Sequence, residues 1–194
     1  MAQSFYQNVS VDEKRRRIYI VGEADTAMSH LVFVALHKLE ATNGPITIVI
    51  NCEGGDETSG YAIYDAITMC KNVIIMEGYG YVGSIAAAIF QAADVRRMAP
   101  NAFFMIHNGE MNIDPGETKQ NTIVDLADFI KKDSHRYYTI LSSRSRMTYE
   151  EIHNACQKDT YYTAQEALEE GFCDEIINPE KKFVTPPKKR KRKK

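Results

Sequence analysis

The sequence lacks the features that would assign it to several common classes of protein. No apolar run approaches the roughly 18 residues needed to span a membrane, and residues 1–17 are too polar and charged to contain a secretory h-region. Cys52, Cys70, Cys156 and Cys173 form no CxxC pair, so neither a zinc site nor a disulfide framework is indicated. We therefore expect a cytoplasmic protein with reduced thiols, no bound metal and no membrane association.

The chain also contains no GxxxxGK[ST] phosphate-binding loop, so we expect no ATP hydrolysis by this polypeptide and predict no cofactor. Its 194 residues, of which 44% are hydrophobic, are enough for one compact domain, which we place at residues 1–180. Residues 188–194 read "KKRKRKK", follow two prolines and hold seven of the 24 basic side chains. We predict that residues 181–194 form a disordered basic tail, which either solubilises the chain or contacts nucleic acid.

Strand patterns alternate with helix patterns along the domain. The β-branched runs "RRIYIVG" (16–22) and "PITIVIN" (45–51) predict strands, and "HLVFVALHKLEA" (30–41) between them has helical spacing. The alternation continues with a helix at 58–71, a strand at 72–80 and a helix opening at Ser84. A short strand ending at His107 and a long helix at 116–143 follow. This order predicts an α/β domain with a mainly parallel sheet.

The position of Ser84 in "GYGYVGSIAAAIFQAAD" has two interpretations. Its hydroxyl can cap the helix that follows, which is the usual role of such a serine. It also lies at the carboxyl end of a strand, where open α/β sheets bind ligands and where helix amides stabilise negative charge. Gly54 and Gly55 follow another strand and can aim backbone N–H groups at a ligand, and His107 ends the apolar strand of "FFMIHNG". Together these residues suggest a nucleophilic site.

Four segments taken in order resemble the proteolytic subunits of the ATP-dependent Clp protease family across residues 17–176. They are "INCEGGDETSGYAIYDAI", "GYGYVGSIAAAIF", "PNAFFMIH" and "KDTYYTAQEALEEGFCDEI". The resemblance implies Ser84 as nucleophile, His107 as general base and Asp159 as the acid that orients it. It also implies an oxyanion hole formed by the backbone N–H groups of Gly55 and Ile85.

The same resemblance implies the fold, the activity and the partners. The fold is the Clp and crotonase type of α/β fold, a ββα superhelix with a protruding handle helix at 116–143. The activity is hydrolysis of peptide bonds in unfolded proteins and peptides, inside a chamber of stacked heptameric rings to which an AAA+ unfoldase can deliver substrates. Apolar residues of the handle predict a surface that needs a partner. They are Ile123, Leu126, Phe129, Ile130, Tyr137, Tyr138, Ile140 and Leu141.

Several alternatives remain open from the sequence. The "SPGG" segment of the family is "CEGG" here, and Cys52 is either a second candidate nucleophile or a small core residue. The whole chain could be a phage-type head-maturation protease with the same triad, a crotonase-like acyl-CoA enzyme, or a catalytically inactive ring subunit. Farther along, "SRMTYEEIHNAC" predicts a helix with Thr148 as N-cap and Glu151 completing a capping box.

Overall fold

The computed structural model describes residues 8–109 and 120–178. In the helix that ends at residue 143, side chains are described from residue 124 onward. The predicted basic tail, 181–194, and the predicted first turn of the long helix, 116–119, lie outside the described residues. The strands are β1 (Val9–Asp12), β2 (Arg17–Ala24), β3 (Ile46–Gly55), β4 (Ile74–Gly83), β5 (Val95–Met98), β6 (Phe103–Ile106), β7 (Thr160–Thr163) and β8 (Glu175–Ile176). The helices are α1 (Thr26–Glu40), α2 (Glu57–Thr68), α3 (Ile85–Gln91), α4 (Gln120–Ser143), α5 (Tyr149–Ala155) and α6 (Ala164–Glu169).

The main sheet has the strand order β1-β2-β3-β4-β5-β8, in which only the β1–β2 pair is antiparallel. Strand β6 leaves this order: it pairs in parallel with the end of β4 and antiparallel with β7. The predicted α/β fold with a mainly parallel sheet is confirmed. Because β6 is parallel to β4 and antiparallel to β7, the segments that follow β4 and β6 and the segment that precedes β7 are brought together.

The core consists of the strands whose apolar runs predicted them. Isoleucines alternate along β2 and β3, and those that face inward are completely buried, as the β-branched pattern requires. Helix α3 is buried along its whole length, which explains its unbroken run of alanines and aliphatic residues. Because α3 lies in the interior, Ser84, the residue directly before it, is held between packed layers rather than on an exposed loop.

One predicted strand is wrong in its extent. The segment "DVRRMAPNAFFMIH" forms two strands, β5 and β6, rather than a single strand ending at His107. A turn closed by a hydrogen bond from Ala102 N–H to Ala99 O, 2.9 Å long, separates them, and Pro100 takes the position in it that favours proline. His107 follows the last residue of β6 instead of belonging to it.

Helix α4 divides into two parts with different surroundings. The apolar residues of its first part that the structure describes, Val124, Phe129 and Ile130, are exposed. The prediction that Tyr137, Tyr138 and Leu141 extend this surface is wrong, because all three are buried in the hydrophobic core of the domain. The surface available to a partner is therefore the N-terminal part of the helix. Further on, the predicted Thr148 capping box is confirmed at the start of α5.

Candidate active site

Ser84 occupies a strained turn between β4 and α3. Its backbone has φ = 56° and ψ = −131°, a conformation that residues other than glycine rarely adopt. The turn is held by two hydrogen bonds: Ser84 N–H donates to Met105 O at 3.0 Å, and the Tyr137 hydroxyl donates to Ser84 O at 2.9 Å. The Ser84 hydroxyl makes no capping bond to α3, so the capping interpretation of this residue is wrong. Its Oγ points elsewhere.

The Ser84 hydroxyl instead contacts a histidine that is itself held by a carboxylate. Ser84 Oγ lies 2.9 Å from His107 Nε2, and His107 Nδ1 lies 3.0 Å from Asp159 Oδ1. With the Nδ1 proton donated to Asp159, Nε2 is free to accept the hydroxyl proton. The three residues follow or precede β4, β6 and β7, and the pairing of β6 with both other strands explains why they meet.

The end of β3 lies directly beside the serine. Gly54 and Gly55 have φ values of +111° and +139°, which only glycine adopts without strain. A Cβ atom on Gly54 would lie 2.5 Å from Ser84 Cβ, and one on Gly55 would lie 2.4 Å from Ala24 O. Gly54 therefore allows β3 to approach the serine, and Gly55 allows it to approach β2, more closely than any side chain would permit.

A cavity opens next to Ser84 between α2, α3 and α4. Its enclosed volume is about 30 Å³, and beyond this the space is continuous with the surrounding solvent. Ser84, Ile85 and His107 form the wall nearest the hydroxyl, and Ile130 and Tyr137 of α4 form an apolar wall. A groove beside it shares Ser84 and His107 and reaches Gly55. Two of the five predicted site residues thus face both spaces.

Two carboxyl groups face this cavity, and the sequence did not single out either of them. Glu57 begins α2 and Asp133 lies on α4, so the tertiary structure brings together two residues that are 76 positions apart in the chain. Burial, followed by a hydrogen bond and charge repulsion from Asp133, raises the pKa of Glu57 to about 7. Asp133 is only 8% exposed and forms an ion pair with Arg136, whose guanidinium lies 3.3 Å from the centre of the Tyr61 ring.

Cys52, the other candidate nucleophile, is part of the core. It is completely buried in β3, and burial raises the pKa of its thiol to about 11, so the thiolate is scarce at neutral pH. Its Sγ lies 3.7 Å from Gly54 O. The interpretation of Cys52 as a small core residue agrees with this position.

Neither a membrane-spanning helix nor a metal site is found in the described part of the chain. None of the helices within residues 8–109 and 120–178 combines the length and the apolar character required to cross a bilayer. The same residues contain no group of three or more histidine, cysteine, aspartate or glutamate side chains arranged to hold an ion.

Three comparisons with known proteins agree. The family model described as Clp protease matches residues 1–180. ATP-dependent Clp protease proteolytic subunits from Streptococcus agalactiae serotype V and Streptococcus pneumoniae strain 70585 are each 31% identical to the chain over 169 residues, which cover 84% of this chain and 85% of theirs. Among solved structures, a ClpP1 mutant from Listeria monocytogenes superposes with a TM-score of 0.79 at 29% identity, covering 87% of this chain and 94% of its own.

Proposed function

The chain belongs to the Clp protease family, and on that basis we propose that it hydrolyses peptide bonds with Ser84, His107 and Asp159 as its catalytic triad. Family membership confirms the predicted resemblance and the predicted class of enzyme, a serine-type endopeptidase. The observation that carries the assignment of residues is the continuous hydrogen-bonded series from Ser84 Oγ through the His107 ring to Asp159.

In this mechanism each residue has a defined role. Ser84 Oγ attacks the carbonyl carbon of the scissile bond while His107 Nε2 takes the hydroxyl proton. Asp159 keeps the Nδ1 proton on His107 and stabilises the imidazolium. The tetrahedral intermediate collapses, His107 returns the proton to the leaving amine, and an ester to Ser84 remains. Water, deprotonated by His107, then hydrolyses the ester and restores the serine.

The negative oxygen of the tetrahedral intermediate requires hydrogen-bond donors, and we assign these to the backbone N–H groups of Gly55 and Ile85. Ile85 is the first residue of α3, where helix N–H groups lack a partner within the helix. Gly55 reaches the groove that Ser84 and His107 line. Loss of one such donor typically lowers kcat by about 10²- to 10³-fold.

We further propose that the active species is a pair of stacked heptameric rings that encloses the site and admits extended polypeptides. The exposed apolar side chains of α4 support a partner at this helix: Val124 is 61% exposed and Phe129 is 50% exposed, which is unfavourable for a helix surrounded by water. We also propose an AAA+ unfoldase as a partner and a cytoplasmic location. A contact between the basic tail and nucleic acid is a further proposal.

Reaction with a fluorophosphonate tests the triad directly. The reagent phosphonylates only an activated hydroxyl, so we expect one adduct, located on Ser84 by mass spectrometry. The adduct should be absent in Ser84→Ala, greatly reduced in His107→Ala and unchanged in Ser142→Ala, which removes a hydroxyl that bonds only within α4.

Efficient labelling of another residue would refute the assignment of Ser84. No labelling at all, together with no peptide hydrolysis, would favour the crotonase-like or inactive alternative, since neither requires an activated serine.

A further inference from the structure

We propose that the cavity beside Ser84, together with the groove into which it opens, receives the side chain of the residue whose carbonyl is attacked, and that Glu57 and Asp133, which line both spaces, make this pocket prefer lysine or arginine. The proposal rests on the proposed function, because it assumes that Ser84 attacks a peptide. It adds what that function leaves open, namely the chemical class of substrate.

The position of the cavity identifies which substrate residue enters it. Ser84, Ile85 and His107 all contribute to its wall, so the space begins at the hydroxyl itself. A side chain attached to the carbon next to the attacked carbonyl is the part of a substrate that lies closest to this opening. Residues farther along a substrate would follow the adjoining groove past Gly55 and Thr58.

The walls of the cavity suit a long side chain with a charged end. Phe129 and Ile130 of α4 supply apolar surface for a methylene stem, and Tyr137 and Tyr138 continue it. The polar part is formed by Glu57 and Asp133, which also line the groove. Glu57 lies close to the backbone after β6, since a Cβ atom on Gly109 would be 2.2 Å from its Oε1. Glu57 is therefore packed against the backbone at Gly109, and Asp133 is held by its ion pair with Arg136.

The charges that face Glu57 leave the pocket able to accept one cation. From α4 it meets Asp133, whose charge is balanced by Arg136, and from its own helix start it meets Asp56. His107 lines the same cavity, and burial keeps the phenol of Tyr137 protonated by raising its pKa. Arg136 does not line the cavity. Arg136 nevertheless lowers the pKa of Glu57, but burial and Asp133 outweigh it, so near neutral pH Glu57 is partly protonated.

A proton and a cationic side chain should compete for this carboxyl pair. Burial and the neighbouring Asp133 raise the pKa of Glu57 to about 7, so near that pH the group is half protonated. An ammonium or guanidinium group that enters the pocket would replace the proton and form charge-assisted hydrogen bonds with the carboxylates. By linkage, a rise in pH that removes the proton must strengthen the preference for a basic side chain. An acidic side chain would meet like charge.

The test is hydrolysis of three fluorogenic peptides that differ only at the attacked residue, which is lysine, norleucine or glutamate. Norleucine has the four-carbon stem of lysine without the terminal ammonium group. We expect kcat/KM at pH 8 to be about 10- to 100-fold higher for lysine than for norleucine, as one charge-assisted contact provides, and lowest for glutamate. The lysine-to-norleucine ratio should fall at pH 6. Because the triad acts on both peptides, any pH dependence of the chemical steps cancels in that ratio.

Variants separate the carboxyl pair from the rest of the site. In Glu57→Gln the ratio should decrease and lose its dependence on pH, and Asp133→Asn should also decrease it. Asp65→Asn, an exposed carboxylate of α2 outside the cavity, should behave as wild type. The wild-type series at the two pH values tests the proposal even if a variant fails to fold.

Equal cleavage of lysine and norleucine peptides at both pH values would overturn the proposed preference while leaving the protease assignment intact. Preferred cleavage after glutamate would overturn it as well. Failure to cleave any of the three peptides, together with no fluorophosphonate adduct, would instead count against the proposed function on which this inference rests.

Discussion

The close approach of β3 to Ser84 makes Gly54→Ala a sensitive test of the site. The added methyl group would lie 2.5 Å from Ser84 Cβ and 3.1 Å from Gly83 O, whereas ordinary contacts of this kind are 3.4–4 Å long. Either β3 or the serine turn must therefore move by about 1 Å, and a displacement of that size can lower a rate by about 10²-fold. We expect fluorophosphonate labelling of Ser84 and peptide hydrolysis to fall by at least this factor.

A matched glycine separates this clash from backbone strain. Gly44 has φ = +120°, close to the +111° of Gly54, but an added Cβ would meet nothing nearer than 3.5 Å. Gly44→Ala should cost about 1–3 kcal/mol of stability through its backbone alone and leave the labelling rate of Ser84 unchanged. Denaturant unfolding measures the first effect and labelling kinetics measures the second.

Comparison of the two variants distinguishes contact with Ser84 from strain in the glycine backbone. Suppose that the rate of fluorophosphonate labelling of Ser84 in Gly54→Ala is within about threefold of the rate in Gly44→Ala. The distance between β3 and the serine then has no catalytic importance. If both variants lose activity equally, strain in the glycine backbone rather than contact with Ser84 would explain the loss.

The sequence could predict those elements whose residues carry their own signal. Strands β2, β3 and β4 follow from long β-branched runs, and α5 follows from the Thr148 capping box. Strands β1, β7 and β8 contain only two to four residues and were not predicted, because segments this short do not show an alternating pattern; pairing with a neighbouring strand defines them. The division between β5 and β6 depends on a turn within an otherwise strand-like segment.

The residues of the candidate site also divide into those that carry a local sequence signal and those that do not. Ser84 and His107 could be selected because each stands at the end of an apolar run, and Asp159 only through resemblance to a family. Local sequence favoured helix capping for Ser84, and only the backbone conformation of the turn shows that its hydroxyl points to His107. Glu57 resembles an ordinary acidic residue in the first turn of a helix, and no local pattern brings Asp133 to it.

Two further predictions concern charge and assembly. Burial raises the pKa of Asp174, but hydrogen bonds and charge attraction from Arg96, with charge attraction from Arg144, outweigh it and lower the pKa. The stabilisation is therefore present above the unfolded pKa near 4 and is lost as pH falls through the lower folded-state pKa. Asp174→Asn should cost about 1–3 kcal/mol in denaturant unfolding at pH 7, against less than about 1 kcal/mol for Glu175→Gln, whose ion pair is more exposed. Val124→Asp places a charge in the exposed apolar part of α4, which we assign to ring stacking. It should therefore reduce the mass of the assembly measured by light scattering and lower the rate of peptide hydrolysis. Val124→Thr has nearly the same shape without a charge and should assemble more completely than Val124→Asp. A wild-type protein that is monomeric and fully active would show that α4 does not require a partner for catalysis.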